Sequence, residues 1–158
     1  MHLVFKFGSD FVLTDIFGNK IHIDGSEYGL IIFNEFKNKI VILNFTGTYP
    51  CPFCIKFRNI LKKLAKKYKD SLRVISIVVR PDDASSLYIQ SKMCNEDVSY
   101  ISKAQSFSKY VFKRAQFRGS IPAFIIFDKK GESIVKQVGF VEFSKLDKVI
   151  NSLLSPKK

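Results

Sequence analysis

Residues 39–79 change their hydrophobic period twice, and this change constrains the fold more than any other feature of the sequence. Residues 39–45, KIVILNF, form a short apolar run rich in β-branched side chains, as expected of a strand buried on both faces. Residues 52–69 then repeat apolar side chains at helical spacing, and Pro52 suits the first turn of such a helix. Residues 72–79, LRVISIVV, are again mostly apolar and rich in β-branched side chains, as expected of a second buried strand. Strand, helix and strand in this order predict a parallel βαβ unit with a right-handed crossover.

Weaker patterns lie before and after this unit. Residues 11–24 alternate apolar and polar side chains around a Phe-Gly-Asn turn, which predicts an N-terminal β-hairpin. Residues 26–37 fit a short helix and an extended passage equally well. Residues 81–118 are expected to be an αβ insert, with helices near residues 84–93 and 104–117 and a short VSYI strand between them.

The C-terminal part of the chain contains a second hairpin and a final helix. After Ile121-Pro122, the segments AFIIFD and SIVKQVGF flank a Lys-Gly turn and predict two antiparallel strands. The last helix is expected to begin at Ser144, with Asp147 completing a capping box three residues later. We therefore predict an α/β fold in which a central mixed sheet is flanked by helices, as one domain over residues 1–158.

Length, hydropathy and charge exclude several classes of protein. The longest wholly apolar run, AFIIF at residues 123–127, has five residues, against about 20 for a helix that crosses a bilayer, so no transmembrane segment is expected. Residues 1–7 are too short an apolar stretch for a secretory signal. The formal net charge is +12, but no groove-reading helix or basic glycine-rich loop accompanies it, so no nucleic-acid partner is expected.

The CPFC motif of residues 51–54 lies where the buried strand gives way to the helix. A zinc site needs four ligands, and the remaining Cys94, His2 and His22 do not supply a second ligand pair. We therefore predict a redox-active dithiol with no metal and no bound cofactor, since the two thiols themselves carry the electrons. Cys94 is expected to be a buried small hydrophobe or stray thiol, with a third redox cysteine as the alternative. Both histidines are expected to be surface residues with no part in catalysis.

The position of each cysteine in the helix predicts its role. Cys51 precedes the first turn, where unpaired N–H groups and the positive end of the helix dipole stabilise a thiolate, so it is expected to be the nucleophile. Cys54 lies on the apolar side of the helix and is expected to be the buried resolving cysteine.

Positive charge surrounds the motif along the sequence. Between Phe36 and Lys69 there is no Asp or Glu, and this field also favours a thiolate. Exposed charges are strongly screened, so most of these cations are expected simply to cover the solvated face of the helix. The nine cations are Lys37, Lys39, Lys56, Arg58, Lys62, Lys63, Lys66, Lys67 and Lys69.

With these motifs the chain resembles the thioredoxin-like superfamily, and within it the TlpA/ResA-like bacterial thiol–disulfide oxidoreductases. The resemblance covers residues 11–154 through the segments FVLTDIFGNKIHI, NKIVILNF, CPFC, GSIPAFIIFDKKGE and VGF. It implies that Pro122 is a cis-proline packed against the cysteines and that Ile121 offers its backbone to an extended substrate segment. Tyr49, Pro52 and Phe53 are expected to complete the substrate surface.

Several positions depart from the family pattern. The usual Trp before the first cysteine is missing, and Tyr49 and Pro50 occupy that approach. The buried acid of thioredoxins falls on Asn44, and the helix Glu common in TlpA/ResA-like reductases falls on Phe57. No carboxylate is therefore placed to take the proton of Cys54. The resemblance favours reduction of substrates, whereas a basic site without acids favours oxidation.

Two other functions share this fold. Thr48-x-x-Cys51 matches the Thr-x-x-Cys element of peroxiredoxins, with Arg118 as the partner arginine, although a second cysteine three residues on is unusual there. A non-catalytic binding module is the other alternative. For the oxidoreductase we expect a monomer, protein thiol or disulfide substrates, and a redox partner protein. The resemblance implies a periplasmic or other extracytoplasmic location, and a cytoplasmic one remains the alternative.

Overall fold

Three antiparallel strands form a small sheet at the N-terminal end of the described chain. The computed structural model describes residues 11–25, 29–47, 51–80, 89 and 97–156. Strands β1 (Phe11–Thr14) and β2 (Lys20–Gly25) form the predicted hairpin, and β3 (Ile31–Phe33) pairs with β2. Residues 31–33 of the ambiguous segment 26–37 are therefore extended, and a single 3-10 turn follows at Asn34–Phe36.

A five-stranded mixed sheet forms the centre of the molecule, as predicted. Its strands are β4 (Ile40–Thr46), β5 (Leu72–Val78), β6 (Val98–Ile101), β7 (Ala123–Phe127) and β8 (Ser133–Val138). The spatial order is β6-β5-β4-β7-β8, with β4, β5 and β6 parallel and β7 and β8 antiparallel to their neighbours. Among the described strands β8 is outermost on its side, and most of its residues are exposed.

Helices flank this sheet at the predicted places: α1 (Pro52–Lys67), α2 (Gln105–Ala115) and α3 (Phe143–Leu154). The helix expected near residues 84–93 lies outside the described residues except for Ile89, which is buried. None of the helices in the described ranges is long and apolar enough to cross a membrane.

The capping box predicted at the start of α3 is wrong. The N-cap is Glu142, no side chain caps the helix, and Ser144 lies inside the first turn. The Asp147 carboxylate instead accepts hydrogen bonds from Lys67 Nζ at 2.7 Å and from the Tyr68 hydroxyl at 2.6 Å. The carboxylate therefore joins α3 to the end of α1 rather than capping its own helix.

The hydrophobic core lies on both faces of the central sheet, because successive side chains of β4 point to opposite sides. Ile40 and Ile42 pack with side chains of α1 and α3. Val41, Leu43 and Phe45 pack with the N-terminal sheet and α2. All seven residues of β4 are buried, which explains why its sequence reads as a continuous apolar run.

Candidate active site

The CPFC motif lies at the N-terminal end of α1, beyond the end of β4. Cys51 is the N-cap residue of α1, and a disulfide bond joins its Sγ to that of Cys54, with 5.2 Å between the two Cα atoms. The backbone N–H of Cys54 donates a hydrogen bond of 3.3 Å to Cys51 Sγ. The Cys51 sulfur thus occupies the place of a capping oxygen, where helix N–H groups favour negative charge.

The two sulfurs differ in their access to solvent. Cys51 is partly exposed, whereas Cys54 is fully buried at 0% exposure. Cys54 lies on the apolar face of α1 together with Phe57 and Leu61, as the helical spacing predicts. An external sulfur therefore has access to Cys51 but not to Cys54.

Gly47 connects the end of β4 to the disulfide. Its backbone N–H donates to Cys54 Sγ at 3.4 Å. A Cβ atom at this position would lie 2.7 Å from Ile121 Cδ1 and 3.7 Å from Cys51 Cβ, closer to Ile121 than packing allows. Because residue 47 has no side chain, the Ile121 side chain fits against the Gly47 backbone.

Ile121 and Pro122 approach this site from the start of β7. The peptide bond between them is cis. The Pro122 side chain is buried, Ile121 is partly exposed, and the Pro122 carbonyl accepts a hydrogen bond of 2.7 Å from Gly139 N–H. The structure therefore brings this dipeptide to the side of Gly47 and the cysteines.

An aromatic pair lies on the surface beside the disulfide. Phe53 is 62% exposed, and its ring stacks on Phe140, with centroids 5.8 Å apart and an interplanar angle of 22°. Lys56 Nζ lies 4.6 Å from the Phe140 ring centroid and 3.4 Å from Glu142 Oε1. This side of the site is an exposed apolar patch bordered by one cation and one carboxylate.

The two positions at which relatives carry acids are buried and uncharged. Asn44 is 1% exposed and donates through Nδ2 to Ser76 Oγ at 3.3 Å, and its Oδ1 accepts no hydrogen bond from the described residues. Phe57 is fully buried, and its ring packs on Phe124 with centroids 5.1 Å apart. Neither side chain can accept a proton from Cys54.

Arg58 differs from the lysines that were expected to cover the solvated face of α1. It is only 6% exposed, and its Nη1 donates to the Gly47 carbonyl at 3.3 Å. The signal for this was present in the sequence, since residues 54, 57, 58 and 61 follow the i, i+3, i+4, i+7 spacing of one helix face.

The lysines in and just after α1 have acidic neighbours in the folded protein, although none is near them in the sequence. Carboxylates from other segments approach three of these lysines: Glu142 lies 3.4 Å from Lys56, Asp147 lies 2.7 Å from Lys67, and Asp97 lies 3.6 Å from Lys69. The sequence could not show this pairing, because the acids come from distant segments. Arg58 differs from these lysines in being buried next to the disulfide.

The other candidate residues are placed as follows. Pro52 is the first residue of α1 and is exposed. His22 lies away from the cysteines on β2, with its Nδ1 2.5 Å from Glu35 Oε2, and its side chain is 51% exposed. Arg118 is exposed.

Within the described ranges, no three Cys, His, Asp or Glu side chains come together as metal ligands do. The remaining candidates lie outside the described residues: Tyr49, Pro50, Thr48, Cys94 and His2.

Comparison with known proteins places this site in a family. The profile of the thioredoxin-like domain family matches residues 31–154, so the chain belongs to that family and has the thioredoxin-like α/β fold. The family and the Cys-x-x-Cys pair together make the protein a thiol–disulfide oxidoreductase. A comparison with curated protein sequences gives no significant match.

Solved structures share the fold over nearly their whole length. The thiol:disulfide interchange protein of Chlorobium tepidum is 16% identical, with a TM-score of 0.72 over 92% of this chain and 94% of its own. The exposed lipoprotein thioredoxin of Streptococcus pneumoniae is 18% identical, with a TM-score of 0.67 over 91% and 99%. StoA of Bacillus subtilis is 16% identical, with a TM-score of 0.63 over 89% and 95%.

Proposed function

We propose that the protein exchanges disulfides with protein substrates, with Cys51 as the attacking cysteine and Cys54 as the resolving one. The observation that carries this proposal is the unequal exposure of the bonded pair. Cys51 is partly exposed at the N-cap of α1, whereas Cys54 is fully buried behind it. Only the first sulfur can form a bond to a bulky partner.

The reaction in the reducing direction has two displacements. The Cys51 thiolate attacks one sulfur of a substrate disulfide, that disulfide breaks, and its other sulfur leaves as a thiolate. The Cys54 thiolate then attacks Cys51 Sγ, the Cys51–Cys54 bond forms, and the second substrate sulfur leaves. The substrate gains two electrons and takes two protons from water. A redox partner protein must afterwards reduce the Cys51–Cys54 bond.

The surface around Cys51 is suited to a polypeptide substrate. The exposed Phe53 ring stacked on Phe140 offers an apolar contact on one side. Ile121 and Pro122 lie beside Gly47, where the backbone of Ile121 would pair with an extended segment by strand addition. Tyr49 and Pro52 are proposed to complete this surface. Nothing in this arrangement calls for a bound cofactor.

Reduction is the direction that we favour, on the resemblance to TlpA/ResA-like proteins. Oxidation is the second candidate, and a specific observation favours it. The resolving cysteine has Asn44 and Phe57 where related reductases have carboxylates, and a buried Arg58 nearby. A site that stabilises thiolates raises the reduction potential of the pair.

Two measurements test the function and its direction. Turnover is measured as reduction of insulin disulfides, for the wild type and for Cys51→Ser, with Cys94→Ser as the matched control. We expect Cys51→Ser to lose turnover and Cys94→Ser to retain it. A binding module would instead show no turnover in any variant, and Cys51→Ser would keep its affinity for a partner.

The direction is measured by equilibrating the Cys51–Cys54 pair with glutathione buffers and counting free thiols. A potential near about −270 mV would match that of thioredoxin and support a reductant. A potential nearer about −120 mV would match that of DsbA and support an oxidant.

We further propose that the protein acts as a monomer outside the cytoplasm. The similar protein of Streptococcus pneumoniae is described as an exposed lipoprotein, which supports this location. Fractionation of cells with an antibody to the protein tests it. Recovery in the cytoplasmic fraction would support the alternative location instead.

A further inference from the structure

Arg58 is a charged side chain in an unusual place. Arginine is rarely buried unless hydrogen bonds or ion pairs compensate the loss of water, yet Arg58 is only 6% exposed. It follows Cys54 by four residues on α1, so the two side chains lie on the same face of the helix, one turn apart. The proposed exchange reaction assigns no role to this cation.

Gly47 connects the guanidinium to the buried sulfur. Its carbonyl accepts hydrogen bonds from Arg58 Nη1 at 3.3 Å and from Thr46 Oγ1 at 3.3 Å. Its N–H donates to Cys54 Sγ at 3.4 Å. Arg58 therefore hydrogen-bonds to Gly47, the residue whose N–H donates to Cys54 Sγ. Its guanidinium also places a positive charge on the same face of α1 as Cys54. Charges interact more strongly in a protein interior than in water.

We propose that Arg58 is a positioning residue of the redox pair, which stabilises the thiolate of Cys54 through its charge and through the Gly47 hydrogen bond. This inference rests on the proposed function. It explains how Cys54 becomes a thiolate for the second displacement, in which it attacks Cys51 Sγ. Related enzymes have a carboxylate to take the proton from the resolving cysteine, but Asn44 and Phe57 cannot do so here. A buried cation favours the deprotonated sulfur directly, so no base is required.

The step that depends on Arg58 is the resolution of the mixed disulfide. The Cys54 thiolate attacks Cys51 Sγ, and the Cys51–Cys54 bond forms. The bond from Cys51 to the partner sulfur breaks, and the partner leaves as a thiolate that takes a proton from water. The negative charge of the Cys54 thiolate is lost when the Cys51–Cys54 disulfide forms. A cation that stabilises this thiolate therefore stabilises the reduced protein relative to the disulfide form.

The first test measures the Cys54 thiolate itself. In the Cys51→Ser, Cys94→Ser double variant, Cys54 is the single thiol, and thiolate absorbance near 240 nm follows its titration. We expect a midpoint below the ordinary value of about 8.5 for a cysteine. Adding Arg58→Met should raise this midpoint by about one pH unit, which is a tenfold change in the thiolate equilibrium.

The second test measures the equilibrium of the complete pair with glutathione. At a pH above both Cys54 midpoints, Arg58→Met should shift this equilibrium about tenfold toward the disulfide, which corresponds to about 30 mV for two electrons. Arg58→Gln keeps a donor for the Gly47 carbonyl without the charge, so it should shift the equilibrium in the same direction. Arg58→Lys keeps the charge and should restore much of the wild-type value. Lys63→Met removes an exposed cation from the same helix and should change neither measurement.

Three results would overturn the proposal. One is a Cys54 midpoint at or above 8.5 while Arg58 is intact, a result that needs no Arg58 variant to fold. The second is a wild-type midpoint and equilibrium in Arg58→Gln and Arg58→Met. The third is an equal shift in Lys63→Met. None of these measurements uses a protein substrate, so loss of insulin reduction with a retained Arg58 effect would refute the proposed function alone.

Discussion

Cys51 and Cys54 are three residues apart on one helix, but different structural elements determine their environments. Cys51 caps α1 and is partly exposed to solvent. Cys54 is enclosed by the end of β4, where Gly47 donates to its sulfur. The environment of Cys51 therefore depends on the helix, and that of Cys54 depends on the strand end behind it.

Replacing each cysteine by serine should separate these roles. Cys51→Ser removes the accessible sulfur, so we expect no covalent complex with a disulfide substrate. Cys54→Ser retains Cys51 but cannot resolve the intermediate, so mixed disulfides should accumulate. Non-reducing electrophoresis with mass spectrometry measures both results. A covalent complex through Cys54 in the Cys51→Ser variant would contradict the assignment.

Gly47→Ala tests the contact between the β4 end and Ile121. The new Cβ would lie 2.7 Å from Ile121 Cδ1, the end of a flexible side chain, so Ile121 should turn away while the backbone stays in place. We expect a loss of stability of about 1–3 kcal/mol and a several-fold slower exchange with a protein disulfide.

Urea unfolding and the exchange rate with insulin measure the two effects of Gly47→Ala. Gly119→Ala serves as a control, because Gly119 has a positive φ of 94° and lies two residues before Ile121 in the chain. It should destabilise the backbone without placing a methyl group beside Cys51. Unchanged exchange in Gly47→Ala would show that the Ile121 contact has no part in substrate binding.

At the residue scale, the sequence predicts where both cysteines lie on α1, but it does not predict that Arg58 is buried. The CPFC motif, the helix stripe and the position of Pro52 together place one sulfur at the N-cap and the other on the buried face. Arg58 lies in the same stripe, but a cation there reads as solvated surface unless the partner that compensates its burial is known. One such partner is the Gly47 backbone carbonyl, which has no signature in the sequence.

At the scale of elements, a polar cluster at the C-terminal end of α1 joins this helix to α3. Lys67 Nζ and the Tyr68 hydroxyl both donate to the Asp147 carboxylate. These hydrogen bonds, from Lys67 first and then from Tyr68, lower the pKa of Asp147. The hydrogen bond to Asp147 raises the pKa of Lys67. Burial, followed by the hydrogen bond to Asp147, raises the pKa of Tyr68.

Asp147→Asn should therefore reduce stability in a manner that depends on pH. The pKa of Asp147 is lower in the folded state, so its contribution is fully present above its unfolded pKa near 3.8. That contribution is lost as the pH falls through the lower, folded pKa. We expect a small decrease in melting temperature at pH 7 that disappears in strong acid. Calorimetry across this range measures it.

Asp70→Asn is the matched control for this measurement. It removes one exposed carboxylate just beyond the end of α1 and leaves the Lys67–Asp147 pair in place. Its effect on the melting temperature should be smaller than that of Asp147→Asn at pH 7. Equal effects would show that net charge alone, rather than the α1–α3 contact, controls the change.

At the scale of the whole molecule, β4 separates two hydrophobic clusters. The central part of the fold follows from the sequence, because strands buried on both faces and a helix stripe are strong periodic signals. Strand β3 was not predictable, since three residues are too few to show a period. The capping box at Ser144 was wrong, because a tertiary contact from α1 engages Asp147 instead.

The clusters on either face of β4 should unfold together if residues 1–158 form one domain. Ile42 and Leu43 are both fully buried, and they belong to opposite clusters. Ile42→Ala and Leu43→Ala should each destabilise the protein by about 2–5 kcal/mol through the cavity left behind. Each should shift a single transition, observed at the same urea concentration by circular dichroism and by tyrosine fluorescence. Two separate transitions in either variant would contradict the prediction.

The position of β8 at the outside of the sheet determines how the protein behaves at high concentration. Ile134 and Val138 are 44% and 50% exposed on a strand that has no further neighbour among the described strands. Such an edge is a template on which a second copy can add its own strand and begin an aggregate. Lys136 is exposed between these two aliphatic residues and opposes that addition, because pairing two edges would bring like charges together. Acetylation of that lysine would remove this charge and should lower the solubility limit.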